Sequence, residues 1–460
     1  MSSRRIMSTP VSRRGFLRGA AAAAGAALVT GRGPRVLSGG AVAHAADQRF
    51  AGTTLNVITF RYTYTEATQR QLADFEKLTG IKVKYDVFAE AEESQKVAVE
   101  LAGGTGAYYV VHVSGGGIPQ CAEPGWVVPL DDFLKDPKLT KPGEMDVADF
   151  VKGPWESGKW KGAQYGIPVF VGTQLLYYRK DIVGMNPPKT LEELLAKSKE
   201  VHNKPVPAFA ARGARGKDAA LWPFPQVMWA YGGKFFRDYP NDLHPVLDAP
   251  EVLRAASYWV ELLSKYGILN IASANFDEVL LALSEGKTAM AIEGAPLAAR
   301  LFDPKQSKVA DKLDMAMVPA GPAGRFPPFS GHCWAIPRAA KNHEAAWEFV
   351  KWSVSKDVQL RGALATNHIA VTRKSVWNDP EFRNKYNYGG GTKFVSLFLQ
   401  SAEEARPDYR PPIPEWPQLG DRMSIALSEA LTGQKSVDQA MKDCQKDMYD
   451  FFMKAGYYKS

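Results

Sequence analysis

The chain has 460 residues, of which 45% are hydrophobic and 23% are charged, and its formal net charge is +8. Residues 1–46 contain seven arginines and no acidic residue, so the rest of the chain carries a charge of only about +1. A nearly neutral body gives no electrostatic support to binding of nucleic acid or of an anionic membrane. Because residues 47–460 exceed what one hydrophobic core normally serves, we expect two lobes.

The N-terminal segment, residues 1–46, has the pattern of a twin-arginine export signal. Arg13-Arg14 precedes a weakly apolar run, Gly19–Val29, and Ala43–Ala45 forms a small-residue cleavage site. The run is about half of the roughly 20 residues that a membrane-spanning helix needs. No Cys follows it where a lipoprotein would need one. The sequence therefore predicts a signal peptide over 1–46 and a soluble periplasmic protein after its removal.

After Thr53, strand patterns alternate with helix patterns. The predicted strands and helices are Leu55–Ile58, Glu66–Leu78, Ile81–Val87, Glu92–Ala102 and Tyr108–Val113, in chain order. Such alternation favours an α/β fold with a parallel sheet. Ligands of these sheets bind beyond the carboxyl ends of the strands. The loops in that position are 60–65, 88–92 and 114–117.

The middle and the C-terminal part of the chain are mostly helical by pattern. We predict helices over Leu191–Val201, Pro250–Tyr266 and Phe276–Glu285, followed by two amphipathic helices at the C-terminus. The last helix has an apolar stripe at helical spacing that indicates core packing, formed by Val437, Met441, Cys444, Met448 and Phe451. The three cysteines fit no zinc spacing, and each is expected to be a small buried hydrophobe, with a single disulfide as the alternative.

Several enzyme motifs are nearly present, and each lacks a required residue. Gly286-Lys287-Thr288 resembles the end of a phosphate-binding loop, but Leu281 stands where the first Gly is needed. His343-Glu344 begins a zinc-protease motif, but its second His would fall on Trp347. The seven histidines show no helical ligand spacing. We therefore predict no catalytic residue, no metal site and no cofactor.

Tryptophans in Gly- and Pro-rich surroundings are the more informative aromatic residues. Trp222, Trp229 and Trp334 lie in such surroundings. A sugar ring has apolar C–H faces that suit the negative face of an aromatic ring. Each Trp is therefore either part of a carbohydrate platform or part of the core.

The order of short sequence blocks across the chain resembles the family 1 extracellular solute-binding proteins, whose best-known member is maltose-binding protein. The resemblance runs from about Thr53 to the C-terminus. Its blocks are Leu72–Ile81, Gly125–Asp131, Tyr165–Pro168, Leu176–Asp181, Thr190–Leu194, Gly286–Met290, Ala345–Phe349 and Leu431–Ala440. Ala211–Gly213 and Arg410–Pro414 are similar to members that bind polyols and simple sugars. Many relatives have an Asp beside the third strand, which this sequence lacks.

The resemblance implies a two-lobed periplasmic-binding-protein fold, with a mostly parallel sheet in each lobe and the ligand between the lobes. Lobe one would be 47–167 plus 330–371, and lobe two 168–329 plus 372–460. The implied function is that of the receptor of an ABC importer, which closes around a sugar, oligosaccharide or polyol. The implied partners are the permease subunits of the inner membrane, with the receptor itself a monomer. The open alternatives are a phosphorylated polyol, a polyamine or a peptide as solute, and a secreted hydrolase.

The predicted binding residues lie in loops after strands or beside the expected chain crossings. From lobe one they are Tyr62, Glu90, Ser114 and Trp334, and from lobe two they are Arg212, Trp222 and Glu293, with Arg373 near a crossing. Surface salt bridging is the alternative role for Glu90, Glu293 and Arg373.

Overall fold

The computed structural model describes residues 48–113, 116–216, 219–390, 393–406 and 408–458, apart from the side chain of residue 91. The predicted signal over 1–46 and the predicted site residue Ser114 lie outside these residues. The strands are β1 Thr54–Phe60, β2 Lys82–Phe88, β3 Val110–Val113, β4 Lys159–Trp160, β5 Ala163–Gln164, β6 Ile167–Gly172, β7 Gln174–Arg179, β8 Phe209–Ala210, β9 Phe236–Asp238, β10 Asp242–Pro245, β11 Met290–Gly294, β12 Leu313–Ala316 and β13 Ser330–Ala335.

The helices cover both faces of the sheets. They are α1 Thr63–Gln69, α2 Leu72–Thr79, α3 Glu90–Gly103, α4 Ile118–Ala122, α5 Asp131–Lys135, α6 Lys152–Ser157, α7 Lys180–Val183, α8 Leu191–Val201, α9 Phe224–Ala230, α10 Pro250–Tyr266, α11 Phe276–Ser284, α12 Ala298–Leu301, α13 His343–Ser353, α14 Lys356–Ala365, α15 Lys374–Trp377, α16 Pro380–Lys385, α17 Lys393–Glu404, α18 Trp416–Leu431 and α19 Val437–Lys454. None of the helices within the described ranges is long and apolar enough to span a membrane.

The strands form two main sheets, which confirms the predicted α/β class. The first has the order β2-β1-β3-β13-β6 and the second the order β12-β7-β11-β8. In the first sheet β13 pairs antiparallel with β3 and β6, whereas β1 pairs parallel with β2 and β3. In the second, β7 pairs antiparallel with β11 and β12, whereas β8 and β11 are parallel. Each sheet therefore has one described strand that runs against the others.

The chain passes between the sheets at the edges where their parallel strands end, which we call the carboxyl edges. β6 ends at Gly172 in the first sheet, and β7 begins at Gln174 in the second, so Thr173 alone joins them. The segment between β12 and β13 makes a second connection between the same two edges. Because both connections leave and enter at carboxyl edges, these two edges lie on the same side of the crossings. The lobe boundary expected at 167/168 falls inside β6, so the first crossing comes at Thr173.

The predicted helix Glu66–Leu78 is interrupted, and the structure has α1 and α2 in its place. Gln71 stands at the break, where its Nε2 donates to the carbonyl oxygen of Val358 at 3.0 Å. The local helical pattern is therefore interrupted at a residue that is held by a tertiary contact, and tertiary context commonly overrides local propensity. α2 ends one residue after the predicted bound, and Gly80 then adopts the left-handed conformation with φ of +71° that commonly ends a helix.

The predicted core stripe of the last helix is nearly right. Met441, Cys444 and Met448 are buried in α19, but the aromatic member is Phe452, which has no exposed surface, rather than Phe451. Cys121, Cys333 and Cys444 are all buried free thiols. Their predicted role as small hydrophobic residues is confirmed, and the alternative of a disulfide is excluded for this structure.

Candidate functional site

The first wall of the candidate site is formed at the carboxyl edge of the first sheet. Tyr62 follows β1 and precedes α1, and its ring lies 5.3 Å from that of Phe60 and 5.2 Å from that of Phe170. Glu90, the first residue of α3, is exposed beside it. The structure thus brings two of the predicted residues to this edge, Tyr62 and Glu90.

The second wall contains a bidentate ion pair. Arg212 follows β8, and Glu293 lies near the end of β11, which is parallel to β8. Arg212 Nε and Nη2 donate to the two carboxylate oxygens of Glu293, each at 2.8 Å. The Gly294 amide also donates to Glu293 Oε1, at 2.7 Å. The Glu293 side chain has no exposed surface, whereas that of Arg212 is 15% exposed, so the guanidinium is the part that solvent or a ligand can reach.

Tyr62 shows that the two walls are close together. Burial raises the pKa of its phenol above the ordinary range, and the negative charge of Glu90 adds to this shift. Arg212 and Glu293 also act on the Tyr62 hydroxyl, in opposite directions. Since Tyr62 belongs to the first wall and the ion pair to the second, the two carboxyl edges are close together here, and we call the space between them the cleft.

Trp222 belongs to the second wall and is mostly buried. Its ring makes an edge contact with Tyr409, with centroids 6.2 Å apart, and the Arg410 guanidinium lies 5.3 Å from its centre. Arg410 is fixed by a hydrogen bond from its Nε to the carbonyl oxygen of Leu221 at 3.2 Å. Trp222 therefore contacts a ring and a cation, Tyr409 and Arg410, from a loop that was not among the predicted site residues, and its role as a ligand platform stays a prediction.

Two predicted site residues do not face the cleft. Trp334 is 1% exposed and packs in the core of the first sheet, where its ring contacts Tyr64 and Phe349. Its position in β13 opposite His112 places the side chain under the helix layer, so the prediction that it lines the cleft is wrong. Arg373 is 2% exposed, and its guanidinium donates to the carbonyl oxygens of Val354, Met145 and Asp146 at 2.8, 2.7 and 3.0 Å. Arg373 thus joins the loop at residues 145–146 to the end of α13, and its side chain does not face the cleft.

A buried hydrogen-bonded chain at the first wall was missed by the sequence analysis. Glu93 Oε1 lies 3.0 Å from His112 Nδ1, and His112 Nε2 lies 2.8 Å from His332 Nδ1. His332 Nε2 in turn lies 3.3 Å from Ser330 Oγ. We call Glu93, His112 and His332 the histidine chain. Its two imidazoles are 220 positions apart in sequence, so only the pairing of β3 with β13 brings them together.

Burial controls the protonation of Glu93 and His112, the two inner residues of the histidine chain. It raises the pKa of Glu93 to about 8 and lowers that of His112 to about 3. His112 is therefore neutral near pH 7, and Glu93 holds its proton there.

Other features of the described residues do not resemble a site. No group of three or more His, Cys, Asp or Glu side chains among them is arranged to hold a metal ion. A groove of about 410 Å³ is lined by residues from α5 and from the start of α13, among them Asp132, Asp136 and His343. This groove lies beyond the C-terminal end of β13, and that end is at the edge of the first sheet opposite to the cleft. The groove is therefore remote from the two walls.

Comparison with known proteins places these features in a family. A family model described as bacterial extracellular solute-binding protein matches residues 62–360. The chain is 25% identical over 348 residues to the erythritol/L-threitol-binding protein of Mycolicibacterium smegmatis, and the match covers 72% of each chain.

Two solved structures show the same fold. A solute-binding protein of an ABC transporter from Agrobacterium radiobacter, in complex with ribitol, has a TM-score of 0.78 and 24% identity, and the match covers 87% of this chain and 99% of that one. A second such protein, from Agrobacterium vitis and with bound D-mannitol, has a TM-score of 0.75 and 26% identity over 89% of this chain and all of the other.

Proposed function

Because this chain belongs to the bacterial extracellular solute-binding proteins, we propose that it is the receptor of an ABC importer and that its solute is a polyol or a small sugar. The relatives that bind erythritol or threitol, ribitol and D-mannitol support the solute class. The proposed compartment is the periplasm, and the proposed partners are the permease subunits of the inner membrane.

The observation that carries this proposal is the Arg212–Glu293 pair opposite Tyr62. An acyclic polyol offers many hydroxyl groups and little else, so its site needs donors and acceptors that are already oriented. Glu293 holds the guanidinium of Arg212 by two hydrogen bonds, and Tyr62 supplies a phenol from the other wall. Donors fixed in advance lose less conformational freedom on binding. Arg212, Tyr62, Glu90 and Trp222 are the proposed contacts, with Glu293 as the positioning residue.

The two crossings support a hinged closure. In the proposed division, lobe one holds the first sheet and lobe two the second, with the first crossing at Thr173. A solute that contacts both walls binds the closed form better than the open form, and this difference in affinity drives closure. A solute that contacts one wall only would not favour either form.

A thermal-shift and scattering experiment tests the proposal on the purified mature protein. Ribitol, D-mannitol and erythritol should raise the melting temperature, since a ligand at a hundred times its Kd stabilises the folded state by about 2.7 kcal/mol. The same polyols should reduce the radius of gyration. Arg212→Met should abolish both effects, while Arg254→Met, which removes an exposed partner of Glu251 in the same lobe, should keep them. Absence of any shift with all three polyols would contradict the solute class.

A secreted hydrolase is the second candidate, because one observation favours it. Ser330 Oγ lies 3.3 Å from His332 Nε2, as a nucleophile lies beside its general base. The raised pKa of Glu93 argues against this role near pH 7, because a protonated Glu93 donates its proton to the hydrogen bond with His112. Each further hydrogen bond of the histidine chain then has its donor on the side of Glu93, up to the bond with Ser330. His332 Nε2 then carries a proton and cannot accept another from Ser330. Recovery of the bound solute chemically unchanged would exclude the hydrolase.

A further inference from the structure

We propose that His332 Nε2 contacts a hydroxyl group of the solute, and that Glu93 and His112 are positioning residues that decide whether this nitrogen donates or accepts the hydrogen bond. The inference rests on the proposed function in one respect, namely that the solute carries hydroxyl groups. Its observational basis is the histidine chain, which runs from the interior of the lobe to the cleft.

The chain has a buried end and an open end. Glu93 and His112 are each 1% exposed, whereas His332 is 8% exposed and Ser330 is half-buried. His332 precedes Cys333, which pairs with Val113 at the end of β3, so His332 lies at the carboxyl edge. Its ring centroid is 4.7 Å from that of Phe170, whose own ring contacts Tyr62. The open end therefore reaches the wall where Tyr62 stands.

The rings are held in one orientation by their neighbours. His112 and His332 stack with centroids 5.0 Å apart and an angle of 26° between their planes. Phe60 packs against both imidazoles, at 4.9 and 5.6 Å. Rings held in this way cannot exchange their two nitrogens by rotation without disrupting the core. Only a movement of protons can change the character of the outer nitrogen.

A neutral imidazole has one donor and one acceptor nitrogen, so the chain has two possible directions. With Glu93 protonated, its hydroxyl donates to His112 Nδ1, His112 Nε2 donates to His332 Nδ1, and His332 Nε2 donates outward. With Glu93 ionised, the carboxylate accepts from His112 Nδ1, every bond reverses, and His332 Nε2 becomes an acceptor. When both rings are neutral, one proton at Glu93 thus decides whether the outer nitrogen, His332 Nε2, donates or accepts.

Among the described residues, named groups face the histidine chain at its buried end and at the cleft. Ser94 Oγ donates to Glu93 Oε2 at 3.5 Å, and the ring of Tyr64 stacks on His112 at 5.9 Å. At the first wall, the charged groups that act on Tyr62 are Glu90, Arg212 and Glu293. Burial raises the pKa of Glu93 to about 8, so the change of direction falls within a pH range that can be studied in the folded protein.

The direct test is the proton position on His332, read from histidine ring nitrogen resonances in the mature protein without solute. His332→Gln identifies the resonance by its loss. In the wild type we expect the proton on Nε2 at pH 6 and on Nδ1 at pH 10. Glu93→Gln should hold one pattern across this range. Glu348 on α13 is a matched control, because burial also raises the pKa of its carboxyl. In Glu348→Gln the proton on His332 should change position with pH as it does in the wild type. An unchanged His332 in the wild type, or the same change in Glu93→Gln, would overturn the proposal.

The contact with the solute is tested by adding D-mannitol or ribitol. Binding should shift the His332 resonances, and His332→Leu should weaken it about 5- to 10-fold, the loss of one hydrogen bond. A polyol that binds tightly to His332→Leu, and leaves the wild-type His332 resonances unmoved, would overturn the contact. If neither polyol binds while the proton position changes as expected, the solute class in the proposed function fails, and the positioning role of Glu93 is supported.

Discussion

The Arg212–Glu293 pair allows a prediction of stability whose magnitude follows from the structure. Glu293 has no exposed surface, and its carboxylate accepts two hydrogen bonds from Arg212 and one from the Gly294 amide. Arg212→Met removes two of these three bonds and leaves a buried charge. Breaking a buried pair by removing one partner costs about 3–5 kcal/mol. Because the Arg212 side chain is 15% exposed, water can enter the vacated side, and we expect a loss of about 3 kcal/mol in the free energy of unfolding.

A double-mutant cycle separates the ion pair from the packing of the arginine stem. Arg212→Met combined with Glu293→Gln removes the buried charge together with its partner, so it should recover at least about 1 kcal/mol relative to Arg212→Met alone. Arg254→Met is the control, since it removes an exposed partner of Glu251 on α10 and should cost about 0.5 kcal/mol or less.

Urea unfolding at pH 7, followed by far-ultraviolet circular dichroism, measures these free energies. The slope with denaturant should be the same for all variants, as expected when only stability changes. If Arg212→Met costs no more than Arg254→Met, the guanidinium does not compensate a buried charge. If the effects of the two substitutions simply add, Arg212 is not positioned by Glu293, and the proposed arrangement of the second wall is contradicted.

Three further predictions concern the core, the histidine chain and export. Trp334→Ala should reduce the free energy of unfolding by about 3–5 kcal/mol, measured by urea unfolding, and at a temperature where it is folded it should bind D-mannitol like the wild type. Burial raises the pKa of Glu93 from its ordinary 4.5 to about 8, so the folded protein holds this proton more tightly than the unfolded chain does. The folded protein should therefore lose stability as the pH rises from 4.5 to about 8. Glu93→Gln should lack this loss, which unfolding at pH 5 and pH 8.5 would show; an equal loss would contradict it. Replacing Arg13 and Arg14 by Lys should keep the precursor in the cytoplasm, and undiminished mature protein after cell fractionation would refute the twin-arginine signal.

Local patterns predicted the elements well where local forces decide them. The predicted bounds of Leu191–Val201 and Pro250–Tyr266 are those of α8 and α10, because each has an apolar face of helical period and a capping or Pro residue at its start. The break between α1 and α2 was not predicted from the sequence, and the tertiary hydrogen bond found there joins Gln71 to a residue 287 positions later. Long-range contacts of this kind have no local signature.

The candidate site was predictable only where strand ends identify it. Tyr62, Arg212 and Glu293 do lie at or just beyond strand ends, and their role as site residues stays a prediction from the rule that α/β sheets bind ligands at their carboxyl edges. Trp334 misled the prediction, since Gly-rich surroundings do not reveal which side of a strand faces the core. His112 and His332 could not be paired, because their contact depends on the register of two distant strands.

The two walls differ in how their polar groups are fixed, and this difference bears on selectivity. At the second wall, Glu293 fixes the guanidinium of Arg212, which has only donors, so that wall requires an acceptor from the solute. At the first wall, the histidine chain can offer either a donor or an acceptor. A solute hydroxyl satisfies both conditions, whereas a carbonyl or carboxylate oxygen satisfies only the donor form. With Glu93 protonated the cleft should accept both kinds of group, and with Glu93 ionised it should retain hydroxyl groups and discriminate against acceptor-only groups at the position of His332.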